Sequence, residues 1–456
     1  MRNFDIKNDT ELRDEVRLFF GDNVPDISMT EDCGKYRITC ADSSVNIDIS
    51  SYDCISIPAE RRDARLSKIA LYDALTALTG REMPWGALTG VRPTKLVYEC
   101  INSGKTPLEA TKIMESVYRV QPFRAKLLST IIEAQSGKVF FPEDYINLYI
   151  HIPFCSSRCT YCSFMSVPIE KYMGAAEKYV TLLTDEIKRT VEFLHSRGKK
   201  ILSVYIGGGT PTALPENLLR RLLCDIGKFD CEYTCEAGRP DTITEQKADI
   251  LKQSGVTRVC VNPQTLSDDT LVRIGRKHTV EQFYSAYKLV KDRDFIINCD
   301  LIAGLENETL SDFINSFDGI KALRPENFTV HSLSKKNGSA IRYDDGENSA
   351  AADMLHYCLN NLGEYRPYYL YRQKRQACNL ENVGFSLPGD ECVNNITTME
   401  ETVGVMSCGA GAISKFVRAG KIARFAAMRD ISLYIDRYEE KLIDKLSAFD
   451  AVYSDR

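Results

Sequence analysis

The sequence lacks three features that would assign it to a broad functional class. No run approaches the roughly 18 consecutive apolar residues of a membrane helix, so no membrane span is expected. The 58 lysines and arginines are balanced by 63 aspartates and glutamates, so no basic field suggests a nucleic-acid partner. The opening segment MRNFDIKNDTELRDE has no apolar core or cleavage site. We therefore expect no secretory signal and a cytoplasmic protein.

The chain does contain ample apolar material and many cysteines. Of its 456 residues 44% are hydrophobic, which excludes disorder as the dominant state. At roughly 150 residues per domain, this length predicts about three units, or one large α/β barrel with smaller pieces. A reducing compartment disfavours disulfides, so the 16 cysteines are expected to be core thiols, metal ligands or reactive groups.

Apolar periodicity divides the chain into four predicted segments. A helix is expected over Thr10–Phe20, with paired strands between Lys35 and Ile57 and a further helix near Ala350–Leu362. The predicted segments are a small α+β unit (1–57), a helical region (58–142), an alternation of strands and helices (143–335) and a mixed α/β region (336–456).

The third segment has the rhythm of βαβ units. Apolar or β-branched runs separated by helical stretches occur at Tyr145–His151, Leu202–Ile206, Glu232–Glu236, Thr257–Val261, Phe295–Ile302 and Phe328–His331. Such alternation predicts a parallel sheet. Six strands are too few for the eightfold barrel. The predicted fold class is therefore α/β, an open, partial (β/α)6 barrel of TIM type with an N-terminal extension and a mixed C-terminal region.

Three closely spaced cysteines follow the first predicted strand. In HIPFCSSRCTYCSF, Cys155, Cys159 and Cys162 have the spacing Cys-x3-Cys-x2-Cys. Three thiolates are one short of a closed structural zinc site or an ordinary iron–sulfur cluster. A cluster held by three cysteines leaves one iron open to a substrate or cofactor. The alternatives are a zinc site completed by His151, or three incidental thiols.

Polar and glycine residues follow the other predicted strands. The turn GGGTPTAL contains Gly207, Gly208, Gly209 and Thr210. Glycines let the backbone approach a ligand, although tight strand-to-helix turns use them too. Glu236, Gln264 and Asp300 each fall at or near the carboxyl end of a strand, where barrel active sites are built. Any one of them alone could be structural, but together they favour a site.

The cysteine spacing, with an aromatic residue before the third cysteine, resembles the signature of the radical S-adenosylmethionine (SAM) superfamily. The resemblance implies a [4Fe–4S] cluster whose open iron binds SAM. One electron, from a donor such as flavodoxin or ferredoxin, would cleave SAM to a 5′-deoxyadenosyl radical that abstracts hydrogen. By the same resemblance, the glycine turn would meet the methionine moiety.

A wider resemblance is to the oxygen-independent coproporphyrinogen III oxidase family. The motifs that carry it are YIHIPFC, GGGTPTAL, EAGRPDTIT, NPQTLSDDTLVRIGRKHT and DLIAGLENET. The segments LTGVRPTK and YYLYRQKRQACNLENVGFSLPGDEC are similar to the Firmicute-type coproporphyrinogen dehydrogenase branch. The implied substrate is coproporphyrinogen III. Two of its propionates would become vinyls by oxidative decarboxylation, giving protoporphyrinogen IX.

The resemblance also implies residue roles. Arg276 would meet a carboxylate of SAM, for which a planar guanidinium is well suited. Glu236, Gln264 and Asp300 would hold the charged and ribose parts of SAM. Tyr149 and Phe164 would flank the cluster and its ligand. Tyr149 and His151 are the catalytic candidates, although His151 could also be a hydrogen-bonded histidine at a strand end.

One position departs from the established oxidases of this family. They carry a fourth cysteine two residues after the third, where this chain has Phe164. The related heme chaperones also have phenylalanine there. Two other hypotheses therefore stay open: a heme-binding trafficking protein that keeps the cluster, and a radical SAM enzyme acting on another tetrapyrrole.

Two further groups of residues have simpler interpretations. Arg372, Lys374 and Arg375 could bind tetrapyrrole propionates, but a solvated basic face explains them as well. Cys231 and Cys235 repeat the Cys-x3-Cys spacing, but strand alternation would place both on one face of a strand, where ordinary core thiols are expected.

Overall fold

The computed structural model describes residues 1–21, 23–52, 57, 59–89, 92–334, 349–373 and 380–454. Residue contacts group the chain into two compact units. Unit 1 comprises Met1–Ala134, Tyr343–Ala352 and Leu370–Asn382, and unit 2 comprises Gln135–Arg342, Asp353–Tyr369 and Val383–Arg456. The four-segment division made from the sequence stays a prediction. Among the described residues, no helix combines the length and apolarity that a membrane crossing requires.

Over its described residues up to Ala134, unit 1 combines an antiparallel sheet with five α-helices. The sheet has the order β1-β2-β3-β4, with strands β1 (Arg2–Phe4), β2 (Ile27–Asp32), β3 (Lys35–Cys40) and β4 (Ser43–Asp48). The helices are α1 (Thr10–Phe20), α2 (Arg62–Thr79), α3 (Pro93–Asn102), α4 (Pro107–Ser116) and α5 (Pro122–Ala134).

The helix predicted over Thr10–Phe20 is confirmed as α1. The Asp9 side chain accepts hydrogen bonds from the amides of Glu11 and Leu12, which satisfies two donors of the first turn of α1. Gly21 follows the helix with a φ of 61°, a conformation that favours glycine. The local sequence is therefore sufficient to start and stop α1.

Unit 2 is built on a large mixed sheet. The strands that follow β4 in the chain are β5 (Tyr145–Ile152), β6 (Phe154–Cys155), β7 (Val167–Pro168), β8 (Lys200–Gly208), β9 (Glu232–Cys235), β10 (Arg258–Cys260), β11 (Ile296–Ala303), β12 (Asn327–Ser332), β13 (Arg366–Tyr371), β14 (Asn382–Ser386), β15 (Gly404–Cys408), β16 (Ile413–Arg418) and β17 (Lys421–Ala426). β6 and β7 form a separate two-stranded sheet. The 11-stranded sheet has the order β13-β14-β12-β11-β10-β9-β8-β5-β15-β16-β17.

Helices alternate with these strands. They are α6 (Met173–Ser196), α7 (Glu216–Ile226), α8 (Glu245–Gln253), α9 (Asp268–Arg273), α10 (Val280–Lys291), α11 (Leu310–Leu323), α12 (Ser349–Asn360), α13 (Val393–Glu400), α14 (Ile431–Asp436) and α15 (Tyr438–Tyr453). The barrel helices bury apolar stripes. In α7, for example, Leu218, Leu219, Leu222 and Leu223 are buried.

The partial barrel predicted from the sequence is confirmed. Strands β5, β8, β9, β10, β11 and β12 lie side by side in chain order, each parallel to its neighbour, and the sheet is open. All six predicted strands are present. Parallel strands place their carboxyl ends along one edge, where the following loops meet.

Strands beyond the six extend the sheet on both sides. β15 pairs in parallel with β5, and β14 pairs antiparallel with β12. These pairings join segments that are far apart in the sequence, so the periodicity of a single segment carries no sign of them. As a result, the C-terminal part of the chain lies beside β5, the strand that leads into the cysteine loop.

Candidate active site

The three cysteines lie on one loop at the carboxyl end of β5. After Ile152 the chain forms the short strand β6, which pairs with β7 on the far side of the loop. The Cys155 sulfur is 3.4 Å from the Thr210 hydroxyl oxygen, and the Cys162 amide donates to the Cys159 carbonyl over 3.2 Å. The loop is thereby closed on itself and joined to the glycine turn after β8.

The glycine turn packs tightly against the start of this loop. The amide of Gly209 donates to the carbonyl of Ile152 over 2.7 Å, and the amide of Thr210 donates to the carbonyl of Phe154 over 2.6 Å. A Cβ on Gly209 would lie 2.4 Å from that Phe154 oxygen, and one on Gly208 would lie 2.2 Å from the His151 ring. Gly208 also has a φ of 104°. These glycines are therefore needed for close packing of the turn against β5.

Glu236 directly follows β9, at the carboxyl end of that strand. Its carboxylate accepts a 2.6 Å hydrogen bond from the Tyr205 hydroxyl. Burial raises the pKa of Glu236 to about 7, and nearby Asp300 adds to the rise while the Tyr205 bond opposes it. A carboxyl with this pKa is poised to ionise near neutral pH, as expected at a site that binds a charged ligand.

The raised pKa of Glu236 leads to a stability prediction. A carboxyl whose pKa rises from 4.5 to about 7 on folding binds its proton more tightly in the folded chain. This tighter proton binding contributes to the stability of the folded chain. The contribution is fully present below pH 4.5 and is lost as the pH rises through 7. Glu236→Gln stays neutral, so it should be more stable than wild type at pH 8, by about 2 kcal/mol, and equal to it near pH 4.5.

Urea unfolding at several pH values measures this difference. The exposed Glu245, on α8, supplies the control variant Glu245→Gln. A stability difference between Glu236→Gln and wild type that does not change with pH would show that Glu236 titrates normally in the folded protein.

Asp300, within β11, is held by amides and a histidine. Its two carboxylate oxygens accept from the side-chain amides of Asn298 and Asn262, each over 2.8 Å, and one lies 3.4 Å from His331 Nε2. Burial alone would raise the pKa of Asp300, but His331 and the hydrogen bonds from Asn298 and Thr329 outweigh it and hold the pKa below its usual value. Asp300 is therefore an ionised, oriented acceptor.

Gln264 combines two features of a ligand-binding residue. Its φ is 70°, which a non-glycine residue rarely adopts. Its backbone fixes this conformation by bonding to β11 on both sides, to the Asp300 carbonyl over 2.9 Å and from the Ile302 amide over 3.0 Å. The residue is buried, and Gln264 Oε1 has no hydrogen-bond partner within the part of the chain that the structure describes. Strained residues of this kind are concentrated at functional sites.

Arg276 is buried between two parts of the site. Its Nη1 donates to the Gly238 carbonyl over 2.8 Å, and its Nε donates to the Tyr161 hydroxyl over 3.1 Å, within the cysteine loop. Arg276 thus joins the segment after β9 to the loop and places a cation close to the cysteines.

The two catalytic candidates lie on β5. The Tyr149 ring stacks on Tyr205 with 6.1 Å between centroids, and burial raises its pKa. Burial lowers the pKa of His151 to about 4, so the imidazole is neutral at physiological pH. His151 Nε2 is buried without a partner among the described residues. Phe164, in contrast, is 63% exposed beyond the third cysteine.

The structure brings most of the predicted site residues together at one edge of the sheet. It also reveals residues that the sequence analysis did not use. Arg239 and Asp241 lie in the quoted motif EAGRPDTIT, yet only Glu236 was selected from it. Arg239 Nη1 is 3.4 Å from the Cys159 sulfur, and Asp241 accepts from the Ser156 hydroxyl over 3.0 Å. Their position directly after a strand end was the available signal.

The donor set fits an iron–sulfur cluster. The three thiols are free and share one loop. Each cysteine of a cubane cluster binds a different iron, so the sulfurs have to surround the cluster. A zinc ion would need ligands that converge on one point, and among the described ranges no three Cys, His, Asp or Glu side chains do so. Gln264 Oε1 and the Asp300 carboxylate offer acceptors for a polar ligand nearby.

The remaining predicted groups lie elsewhere. Cys235, on β9, is buried and Cys231, directly before β9, is half-buried, as expected for core thiols. Arg372 lies in unit 1 with its guanidinium 5.1 Å from the Trp85 ring centroid. Lys374 and Arg375 lie outside the described residues.

Comparison with known proteins agrees with this geometry. Residues 149–319 match the radical SAM superfamily. The chain is 36% identical over 398 residues to the oxygen-independent coproporphyrinogen-III oxidase-like protein HemZ of Bacillus subtilis, covering 83% of this chain and 79% of the relative. It is 33% identical over 199 residues to the heme chaperone HemW of Bacillus subtilis, covering 41% of this chain and 50% of the relative.

A solved structure shows the same fold. It is the radical SAM coproporphyrinogen III oxidase HemN of Escherichia coli, with a TM-score of 0.52, 21% identity and coverage of 70% of this chain and 73% of that chain. Fold and site together define a radical SAM protein. More narrowly, the chain belongs to the oxygen-independent coproporphyrinogen III oxidase family of that superfamily. Its cofactors are a [4Fe–4S] cluster and SAM.

Proposed function

We propose that this protein oxidatively decarboxylates two propionates of coproporphyrinogen III to vinyls, giving protoporphyrinogen IX without oxygen. In each decarboxylation one hydrogen atom is abstracted from the propionate β-carbon, one electron passes to an acceptor and one carbon dioxide is released. The observation that carries the proposal is the 36% identity to HemZ across 83% of this chain, which includes residues beyond the barrel. The matches to heme chaperones are shorter or less identical: HemW of Bacillus subtilis covers 41% of this chain, and HemW of Haemophilus influenzae covers 66% at 27% identity.

In this proposal different residues of the chain bind the cluster and SAM. Cys155, Cys159 and Cys162 would hold the cluster. The cluster and SAM would supply a 5′-deoxyadenosyl radical for hydrogen abstraction, with the electron coming from a donor such as flavodoxin or ferredoxin. The polar residues bind SAM through its charged and ribose groups; they are Glu236, Gln264, Arg276 and Asp300.

The protein around the cofactors positions and protects them. The packed turn at Gly208, Gly209 and Thr210 presents backbone to the methionine moiety. Tyr149, on β5, and Phe164, after the third cysteine, flank the cluster and its ligand. His151, neutral and buried beside Gly208, fixes the end of β5 from which the loop departs. Positioning of this kind is the main task of a protein whose cofactor does the chemistry.

Product analysis tests the function directly. The protein, reconstituted anaerobically with iron and sulfide, is incubated with SAM, a strong reductant and coproporphyrinogen III. We expect 5′-deoxyadenosine, carbon dioxide and protoporphyrinogen IX, with one carbon dioxide for each propionate lost. Deoxyadenosine formed without carbon dioxide would favour another tetrapyrrole substrate.

A heme-delivery role is the second candidate, because Phe164 occupies the position of a fourth cysteine and HemW is a relative. Incubation with heme separates the two functions. Stable heme retention without decarboxylation would support the chaperone and contradict the oxidase.

Removing the Arg276 guanidinium should weaken SAM binding while the cluster remains. A charge-assisted hydrogen bond to a carboxylate is worth roughly 1.5–3 kcal/mol. We therefore expect the Kd for SAM of Arg276→Gln to rise at least about tenfold. Equilibrium dialysis of reconstituted protein, with iron content measured on the same samples, checks this.

The matched control is Arg273→Gln, three residues earlier. Arg273 is exposed and donates to the Glu306 carbonyl and the Thr270 hydroxyl, outside the cysteine loop. Equal SAM affinity in Arg276→Gln and Arg273→Gln would reject the role of Arg276.

A further inference from the structure

Arg239 makes a set of contacts with the cysteine loop that the proposed chemistry does not use. Its Nη1 lies 3.4 Å from the Cys159 sulfur. Its Nη2 donates to the Ser157 hydroxyl over 3.0 Å, and Nη1 lies within 3.4 Å of the Ser157 carbonyl. One guanidinium therefore contacts a predicted cluster ligand and the backbone of the same loop.

The Arg239 guanidinium is also fixed by an acidic neighbour, Asp241. Its Nε donates to Asp241 Oδ1 over 3.1 Å, and the other carboxylate oxygen of Asp241 accepts from Ser156 over 3.0 Å. Arg239 is 3% exposed. A buried guanidinium with several fixed bonds has few alternative rotamers, so its N–H group stays directed at the sulfur.

A cation and an N–H donor beside a cluster thiolate have an electronic consequence. Reduction adds negative charge to the cluster, and a nearby positive charge or a hydrogen bond to sulfur stabilises the reduced form. Low exposure strengthens this effect, because water screens the charge poorly. Asp241 acts in the opposite direction, since its negative charge opposes reduction.

We propose that Arg239 is a positioning residue for the cluster that raises its reduction potential through the bond to Cys159, and that Asp241 partly offsets this effect. Arg239 would thereby make the cluster easier for a physiological donor to reduce. The inference rests on the cluster of the proposed function and not on its substrate. Absence of decarboxylation therefore leaves it unaffected.

A simple structural role would give a different result. If Arg239 only fastened the loop, its loss would lower cluster content or thermal stability without moving the potential of the clusters that assemble. The midpoint potential is therefore the measurement that distinguishes the two roles. It is obtained by redox titration of the full-length reconstituted protein without SAM, followed by electron paramagnetic resonance.

Three variants make the test specific. Arg239→Gln should shift the midpoint to a more negative potential, so that the ratio of reduced to oxidised cluster at a fixed poise falls several-fold. A tenfold change in that ratio corresponds to 59 mV for one electron. Arg239→Lys keeps the charge and should recover part of the shift. Asp241→Asn keeps an acceptor oxygen but removes the charge, so its midpoint should move to a more positive potential.

Arg258→Gln is the matched control. Arg258, on β10, is also 3% exposed and lies 3.3 Å from an acidic partner, Glu232. Its loss should reduce stability without changing the midpoint. If Arg239→Gln assembles no cluster, the midpoint potentials of Arg239→Lys and Asp241→Asn, which should shift in opposite directions, distinguish the two roles. Wild-type midpoints in the Arg239 variants that assemble, or shifts of the same sign in Arg239→Lys and Asp241→Asn, would overturn the proposal.

Discussion

Replacing Cys155 with alanine should abolish cluster assembly. The loop offers three thiolates, and a cluster that already leaves one iron without a cysteine would then be held by two. The remaining thiolates, Cys159 and Cys162, should not retain it. After anaerobic reconstitution we expect the iron and sulfide content and the visible cluster absorbance of Cys155→Ala to fall to background. Cleavage of SAM should be lost with them.

The control for this experiment is another accessible thiol. Cys224 is exposed on α7, away from the cysteine loop, so Cys224→Ala should reconstitute fully. Purified Cys155→Ala with the full cluster absorbance of wild type would refute the ligand assignment. It would also remove the basis for placing SAM at this edge of the sheet.

The barrel could be predicted because each of its strands is encoded locally. Runs such as Tyr145–His151 and Phe295–Ile302 are mostly apolar or β-branched, as expected for strands buried on both faces. The structure contains both, as β5 and β11. The strands that flank the barrel could not be predicted in this way, because a strand such as β15 depends on a partner, β5, more than 250 residues away in the sequence.

The site could be predicted only in part, for a related reason. The cysteines and the residues at strand ends are visible as motifs, since each lies within or directly after a predicted strand. The surroundings of His151 are not visible as a motif, because they come from three segments that are separate in the sequence. A Cβ on Gly409 would lie 2.6 Å from the His151 carbonyl oxygen, and one on Gly208 would lie 2.2 Å from the ring. No periodicity reveals such packing.

A buried ion pair behind Gly409 illustrates the same limit. Lys445, on α15, is 2% exposed, although an amphipathic helix usually places lysine in solvent. Its Nζ lies 2.5 Å from Glu186 Oε1 on α6 and 3.1 Å from the Ser407 carbonyl. The other oxygen of Glu186 accepts from the Gly409 amide over 2.9 Å. The pair therefore connects two helices to the turn that packs against His151.

Breaking this pair should strongly destabilise unit 2. Lys445→Met leaves the Glu186 carboxylate buried without its cation, and the loss of one partner of a buried pair costs roughly 3–5 kcal/mol. Urea unfolding followed by circular dichroism measures the loss.

The control Lys288→Met breaks an exposed pair with Asp292 and should cost less than about 1 kcal/mol. Adding Glu186→Gln to Lys445→Met should recover part of the stability, because the uncompensated charge is removed while the bond from Gly409 can persist. Equal losses in Lys445→Met and Lys288→Met would show that water reaches the pair in the folded protein.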